Sequence, residues 1–113
     1  MILEILQIIA AVGTIATGFV SLFWPRSVSG FTGLSANGGR GITEIRAILG
    51  GVFVALGAAP LILNATAAYQ MLGIAYLVVG GVRAISMFVD KSVVQSNVIS
   101  LVVEIAFGVI LVL

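Results

Sequence analysis

The sequence predicts an all-α fold, a transmembrane four-helix bundle formed by residues 1–113 as a single domain. The chain is 61% hydrophobic and only 8% charged, with a mean hydropathy of +1.31, whereas a soluble domain is typically about 25% charged. In addition, the few polar and small residues of each long apolar segment recur at intervals of three and four, which places them on one helical face. Because all other faces are apolar, lipid is the solvent that suits these helices.

The first predicted span covers residues 2–24, where Glu4 is the only charged side chain. Its polar and small residues form one stripe along the helix: Glu4, Gln7, Ala11, Thr14, Gly18 and Ser21. No basic residue precedes the apolar run, so we expect a retained helix rather than a cleaved signal peptide.

A connection rich in Gly and Ser follows at residues 25–41. Phe31 and Leu34 lie within it, and Trp24 and Arg26 lie at its start. Aromatic and basic side chains of this kind anchor chains at the membrane–water interface. The pattern therefore predicts a segment that lies on the membrane surface.

Residues 47–82 contain no charged side chain, and this stretch is too long for one span of about 20 residues. Pro60 and the following Asn-Ala-Thr turn divide it, which predicts a second span at 42–63 and a third at 67–89. One face of the third helix carries Tyr69, Gly73, Tyr76, Gly80 and Arg83.

The fourth span is predicted at residues 93–113, after the polar turn 90–92. One face of this helix carries Asn97, Ser100, Glu104 and Gly108. Small residues let membrane helices approach closely. The residues predicted to pack helices together are Gly18, Ala47, Gly51, Ala55, Gly73, Gly80 and Gly108.

Residues 21–28 and 86–93 resemble each other, with four identical positions and two conservative ones. Each copy ends an odd-numbered span. Two duplicated helical hairpins would explain the similarity, and chance similarity between apolar segments is the alternative.

All five cationic side chains lie in the connections 25–41 and 90–92 or at the helix ends beside them: Arg26, Arg40, Arg46, Arg83 and Lys91. The positive-inside rule makes that side cytoplasmic. We therefore expect both termini on the outer side of a bacterial inner membrane.

The charges inside the spans are the main chemical signal. Glu104 lies about 17 Å into its predicted span, near the bilayer midplane, and Arg83 enters from the same side to about 9 Å. Long side chains can cover that offset, so Arg83 is the best candidate partner for Glu104. Glu44 is a second candidate partner for Arg83, and Tyr76 is a candidate hydrogen-bond partner on the same face.

Arg46 points nearly opposite to Glu44 around the second helix, so it either reaches lipid head groups or pairs with a different helix. The predicted buried charge network thus comprises Glu44, Arg46, Arg83 and Glu104. One interpretation is an ion-pair network that fixes helix register. The other is a proton relay or an anchor for a charged substrate.

The chain contains neither cysteine nor histidine. Disulfides, thiolate metal sites, the usual haem ligand and the commonest general base are therefore excluded. The net charge of +1 offers no basic surface for nucleic acid. We predict no catalytic residue, no metal site and no cofactor.

The segment Gly39–Gly51, with the sequence GRGITEIRAILGG, resembles the start of the second helix in small bacterial four-helix membrane proteins known only as a domain of unknown function. The later Gly-Gly-Val-Arg at residues 80–83 and the helix with Glu104 also fit that pattern. The resemblance implies a bundle in the bacterial inner membrane, with Glu44, Arg46 and Arg83 as signature charges. It implies no particular activity.

The favoured functional interpretation is a non-catalytic accessory or interaction subunit that contacts membrane lipids and other membrane subunits or further copies of itself. The alternative is a small proton-coupled transporter that uses Glu104 and Arg83. In length the chain resembles the small multidrug-resistance exporters, but those carry their essential carboxylate within the first helix, where this chain has only Glu4. A membrane enzyme is the third hypothesis, and dispersed carboxylates without His or Cys argue against it.

Overall fold

The computed structural model describes residues 1–113, and it contains helices and turns but no strands. The elements in chain order are α1 (Ile2–Phe23), a 3₁₀ turn (Pro25–Ser27), α2 (Val28–Thr32), α3 (Gly38–Leu63), α4 (Thr66–Val89) and α5 (Gln95–Val112). The middle of α3, Ile45–Val52, is π-helical. By length and composition, α1, α3, α4 and α5 can each cross a membrane. The predicted all-α fold class is confirmed.

The distribution of polar residues is that of a membrane protein. Thr14, Ser21 and Glu104 are buried, whereas most large aliphatic and aromatic side chains are exposed. The predicted stripe on α1 is buried from Ala11 through Gly18 to its last turn, while Glu4 lies at the exposed start of the helix. Burying scarce polar groups and exposing apolar ones is stable only when the surrounding solvent is hydrocarbon.

The second span begins at Gly38, four residues before the predicted start at residue 42. Gly38 has a φ of +71°, a left-handed conformation that glycine adopts without strain. The first turns are supported by an ion pair between Arg40 and Glu44 and by a hydrogen bond of 3.0 Å from the Thr43 hydroxyl to the Gly39 carbonyl. These local interactions offset the low helix propensity of the glycines in this stretch.

The connection between α1 and α3 is partly helical, and its apolar side chains are exposed. Trp24, Phe31 and Leu34 are each about half or more exposed. Gly33, with a φ of +77°, ends α2 in the left-handed conformation common after helices. The placement of this segment on the membrane surface stays a prediction.

Contacts divide the chain into two compact units, residues 11–64 and residues 1–10 with 65–113. In the first unit, α1 and α3 approach closely at glycines. A methyl group added to Gly18 would lie 2.7 Å from the Gly50 carbonyl oxygen, and one added to Gly57 would lie 2.6 Å from the Ala11 carbonyl oxygen. Only residues without a side chain permit such backbone contact.

In the second unit, α4 and α5 form an antiparallel hairpin. A methyl group on Gly73 would lie 2.8 Å from Leu111 Cβ, and one on Gly108 would lie 2.6 Å from Leu77. The Gln7 side-chain amide donates a hydrogen bond of 3.0 Å to the Ile110 carbonyl, which ties the start of α1 to α5.

The small-residue ridge predicted on the second span does not form the buried face of α3. Ala47, Gly51 and Ala55 are exposed, and Gly50 and Gly57 lie on the buried face. A π-helical turn holds more residues than an α-helical turn, so a π-helical segment rotates the faces that follow it. A constant spacing of four therefore does not trace the packing face of α3. The other glycines predicted to pack helices, Gly18, Gly73, Gly80 and Gly108, are each buried beside atoms of a neighbouring helix.

Candidate functional site

The α4–α5 hairpin brings together Arg83 and Glu104, an ion pair between two helices. Arg83 lies six residues before the end of α4, or about 9 Å along the helix, and Glu104 lies nine residues after the start of α5, or about 14 Å. One turn before Arg83, a methyl group on Gly80 would lie 2.9 Å from Ile105 Cδ1 and 3.5 Å from Glu104 Cβ. Gly80 thus lets the two helices approach beside the charges.

Arg83 and Glu104 form a bidentate ion pair. Nε of Arg83 donates to one carboxylate oxygen of Glu104 and Nη2 donates to the other, each at 2.7 Å. The side chain of Glu104 is 11% exposed and that of Arg83 is 31% exposed, so the carboxylate is buried and the guanidinium reaches the surface of the protein. Two parallel charge-assisted hydrogen bonds fix distance and orientation together.

Asn97 links the Arg83–Glu104 pair by hydrogen bonds to the turn between α4 and α5. Nη1 of Arg83 donates to Asn97 Oδ1 at 2.8 Å, and Asn97 Nδ2 donates to the Ser92 carbonyl at 2.9 Å and to the Ser92 hydroxyl at 3.2 Å. Asn97 lies on the helical face predicted to carry Glu104, but the sequence pattern does not predict that it binds Arg83. Asn97 lies seven residues, or two helical turns, before Glu104, and this spacing is the sequence feature that indicates a shared partner.

The polar cluster (Arg83, Glu104, Asn97 and Ser92) satisfies its buried hydrogen-bonding groups internally. No buried side-chain nitrogen or oxygen lacks a partner. The paired charges cancel, which lowers the cost of holding them within an apolar span. Glu104 and Asn97 use three of the five N–H groups of Arg83 and leave the other two.

The remaining members of the predicted network belong to α3. Glu44 is exposed and pairs with Arg40, one helical turn earlier, and Arg46 is also exposed. This corrects the prediction that Glu44 and Arg46 are buried: with α3 beginning at Gly38, Arg40 becomes a helical i,i+4 partner of Glu44.

Tyr76 contributes its ring to the hairpin. The ring packs edge to face against Phe107, with the centroids 5.6 Å apart and the planes at 89°. This geometry is favourable for two aromatic rings. The side-chain hydrogen bonds of Arg83 go to Glu104 and Asn97, and the phenol of Tyr76 as a further hydrogen-bond partner stays a prediction.

An open groove of about 430 Å³ lies beside the exposed edge of the cluster. Its lining residues are Val78, Val79, Val82, Arg83, Ser86 and Asn97. The polar members lie near the turn between the helices, and the valines continue deeper along α4. We refer to this surface as the valine–arginine groove. It offers hydrogen-bond donors at one end and apolar contact along the rest.

The arrangement holds α4 against α5 and leaves N–H donors of Arg83 beside the groove. No group of three or more His, Cys, Asp or Glu side chains is placed to hold a metal ion. Both oxygens of Glu104 accept from Arg83, so the carboxylate faces its partner rather than the groove.

Comparison with protein families gives one match over nearly the whole chain. The family described as "Domain of unknown function (DUF4345)" matches residues 2–113. Comparison with curated proteins and with solved structures gives no significant match.

Proposed function

The chain belongs to the family of unknown function DUF4345, and we propose that it is a non-catalytic multi-pass membrane protein that acts by associating with other membrane helices. Its role is that of an accessory or interaction subunit, bound to a partner membrane protein or to further copies of itself. Because the segments between its spans are short, its partners are contacted largely within the membrane.

The observation that carries this proposal is the exposed ridge of small residues on α3, formed by Ala47, Gly51 and Ala55. A methyl group on Gly51 would meet nothing closer than the Arg46 carbonyl oxygen at 3.9 Å, so this face is open. Membrane helices associate where small residues let their backbones approach. The first part of the ridge is π-helical, and π-helical segments are frequent at functional sites.

In this proposal the Arg83–Glu104 ion pair has a structural role. Arg83 also donates a hydrogen bond to Asn97, and all three residues belong to the α4–α5 hairpin. Its task is to hold the hairpin in one register so that the outer faces of the protein keep a constant shape. Both oxygens of Glu104 accept a hydrogen bond from Arg83, and Glu104 does not line the valine–arginine groove.

We also propose the membrane and the orientation. The chain lies in a bacterial inner membrane, with residues 25–41 and the turn 90–92 on the cytoplasmic side and both termini outside. The support is the placement of all cationic side chains in or beside these two connections.

The test is to isolate the tagged protein at native expression level in mild detergent and to compare three forms. Gly51→Leu fills the open face of α3, whereas Val52→Leu changes an exposed residue that is already large. We expect the wild type and Val52→Leu to elute with a stoichiometric partner subunit or as an oligomer, and Gly51→Leu to elute alone. All three should keep the same thermal stability. A monomeric wild type, or a complex indifferent to Gly51→Leu, refutes the proposal.

The open groove beside Arg83 favours one second candidate, a small proton-coupled transporter. Its test is proton movement in liposomes that contain a pH-sensitive dye, for the wild type and for Glu104→Gln. A flux that depends on added substrate and is lost in a folded Glu104→Gln variant would replace the subunit proposal. If Glu104→Gln only lowers thermal stability, the pair is structural.

A further inference from the structure

The valine–arginine groove has a gradient of polarity along its length. Ser86 lies three residues before the end of α4, about 5 Å along the helix, and Asn97 lies in the first turn of α5. Val78 lies eleven residues before the end of α4, about 17 Å. The groove therefore runs from a polar end near the membrane interface to an apolar end near the bilayer centre.

The donors at the polar end suit an uncharged acceptor. Two N–H groups of Arg83 are not used by Glu104 or Asn97, and the Arg83 side chain is 31% exposed. Because Glu104 already balances the guanidinium charge, an added anion would gain little electrostatic energy. A carbonyl oxygen can accept these hydrogen bonds without upsetting that balance.

We infer that the valine–arginine groove binds one diacyl phospholipid, with an ester carbonyl on Arg83 and an acyl chain along Val82, Val79 and Val78. A phospholipid carries its ester groups at the boundary of the hydrocarbon and its chain below them, in the same order as the donors and valines of the groove. A partner helix does not need donors at one end and valines along the rest, since its own polar groups are not confined to one end. The volume of about 430 Å³ lies within the range of small-molecule sites.

This site is independent of helix association, because the valine–arginine groove lies on α4 and α5 and the small-residue ridge lies on α3. The lipid inference can therefore fail while the subunit proposal holds, and the reverse is also true.

The test compares two lipids that differ only in the carbonyl. Purified wild-type protein in detergent is titrated with dioleoyl phosphatidylglycerol and with its di-oleyl ether analogue, and bound lipid is counted by native mass spectrometry. Because a hydrogen bond from a charged donor is lost in the ether, we expect the first ether molecule to bind about tenfold more weakly than the first ester molecule.

Two variants locate the binding site. Val79→Phe fills the groove and should reduce binding of the first ester lipid to the level of the ether. Ile85→Phe changes an exposed residue of α4 that does not line the groove, and it should bind lipid as the wild type does. Equal binding of ester and ether by the wild type overturns the inference. So does equal loss, or equal retention, in the two variants, since that result describes unspecific lipid around the protein.

Discussion

Replacing Gly73 with alanine tests the close approach of α4 and α5. The added Cβ would lie 2.8 Å from Leu111 Cβ and Val112 Cγ1 and 3.0 Å from the Gly108 carbonyl oxygen. Carbon atoms in contact are normally 3.5–4.0 Å apart, so the helices must separate by roughly 1 Å. Neither Leu111 Cβ nor the backbone oxygen can move without its helix.

Gly81 provides the matched control. It lies on the same helix, and a methyl group there would meet no atom within 4 Å. Overpacking costs about 1–3 kcal/mol, whereas alanine in place of glycine favours a helix by up to about 1 kcal/mol. We therefore expect Gly73→Ala to lower the free energy of unfolding by about 1–2 kcal/mol and Gly81→Ala to leave it unchanged or slightly higher.

The chain has no cysteine, so a labelled pair reports on this hairpin specifically. Ala67→Cys and Leu113→Cys place labels where α4 begins and α5 ends. The protein is titrated with dodecyl sulfate in mixed micelles, and unfolding is followed by the loss of energy transfer between the labels. The titration curve gives the free energy of unfolding. If Gly73→Ala and Gly81→Ala unfold at the same dodecyl sulfate fraction, the inferred contact between α4 and α5 is incorrect.

Three further predictions concern other parts of the molecule. Gly57→Ala should destabilise the packing of α1 on α3 by about 1–3 kcal/mol in the same titration with labels on those helices, because its Cβ would lie 2.6 Å from a backbone oxygen. Asn97→Ala removes an acceptor from Arg83 and two hydrogen bonds to Ser92 and should cost about 1–2 kcal/mol, with a smaller loss when Arg83 is already replaced by methionine, because only the bonds to Ser92 are then removed. A cysteine at Gly39 should react with a membrane-impermeant maleimide only after cells are opened, and one at Asn64 should react in intact cells; the opposite pattern would invert the proposed orientation.

The four spans could be predicted because the spacing of charges limits where membrane helices begin and end. The third span, for example, was expected at residues 67–89 and occupies Thr66–Val89. The start of α3 at Gly38 could not be predicted, since glycines disfavour a helix and the Arg40–Glu44 pair that supports it exists only once the helix has formed. The π-helical segment Ile45–Val52 could not be predicted either, because a change of backbone hydrogen bonding has no regular residue spacing that marks it in the sequence.

The candidate site was partly predictable for a related reason. Depth along a helix follows from residue number, so Arg83 and Glu104 can be matched from the sequence. The positions of Asn97 and Ser92 depend on how the turn between α4 and α5 is closed. That turn contains Lys91 in a left-handed conformation, with a φ of +52°, which the residue type does not suggest.

The hairpin is held at two levels by interactions of different kinds. At one level, Gly73 and Gly108 bring the backbones together through van der Waals contacts, which have no preferred direction. Ten residues along α4, or about 15 Å away, the bidentate bonds of Arg83 to Glu104 are directional and tolerate little displacement. The glycines therefore set the distance between α4 and α5, and the ion pair sets their register. A substitution at the glycine contact should change stability, whereas one at the ion pair should also change which residues of α4 face outward, and with them the shape of the valine–arginine groove.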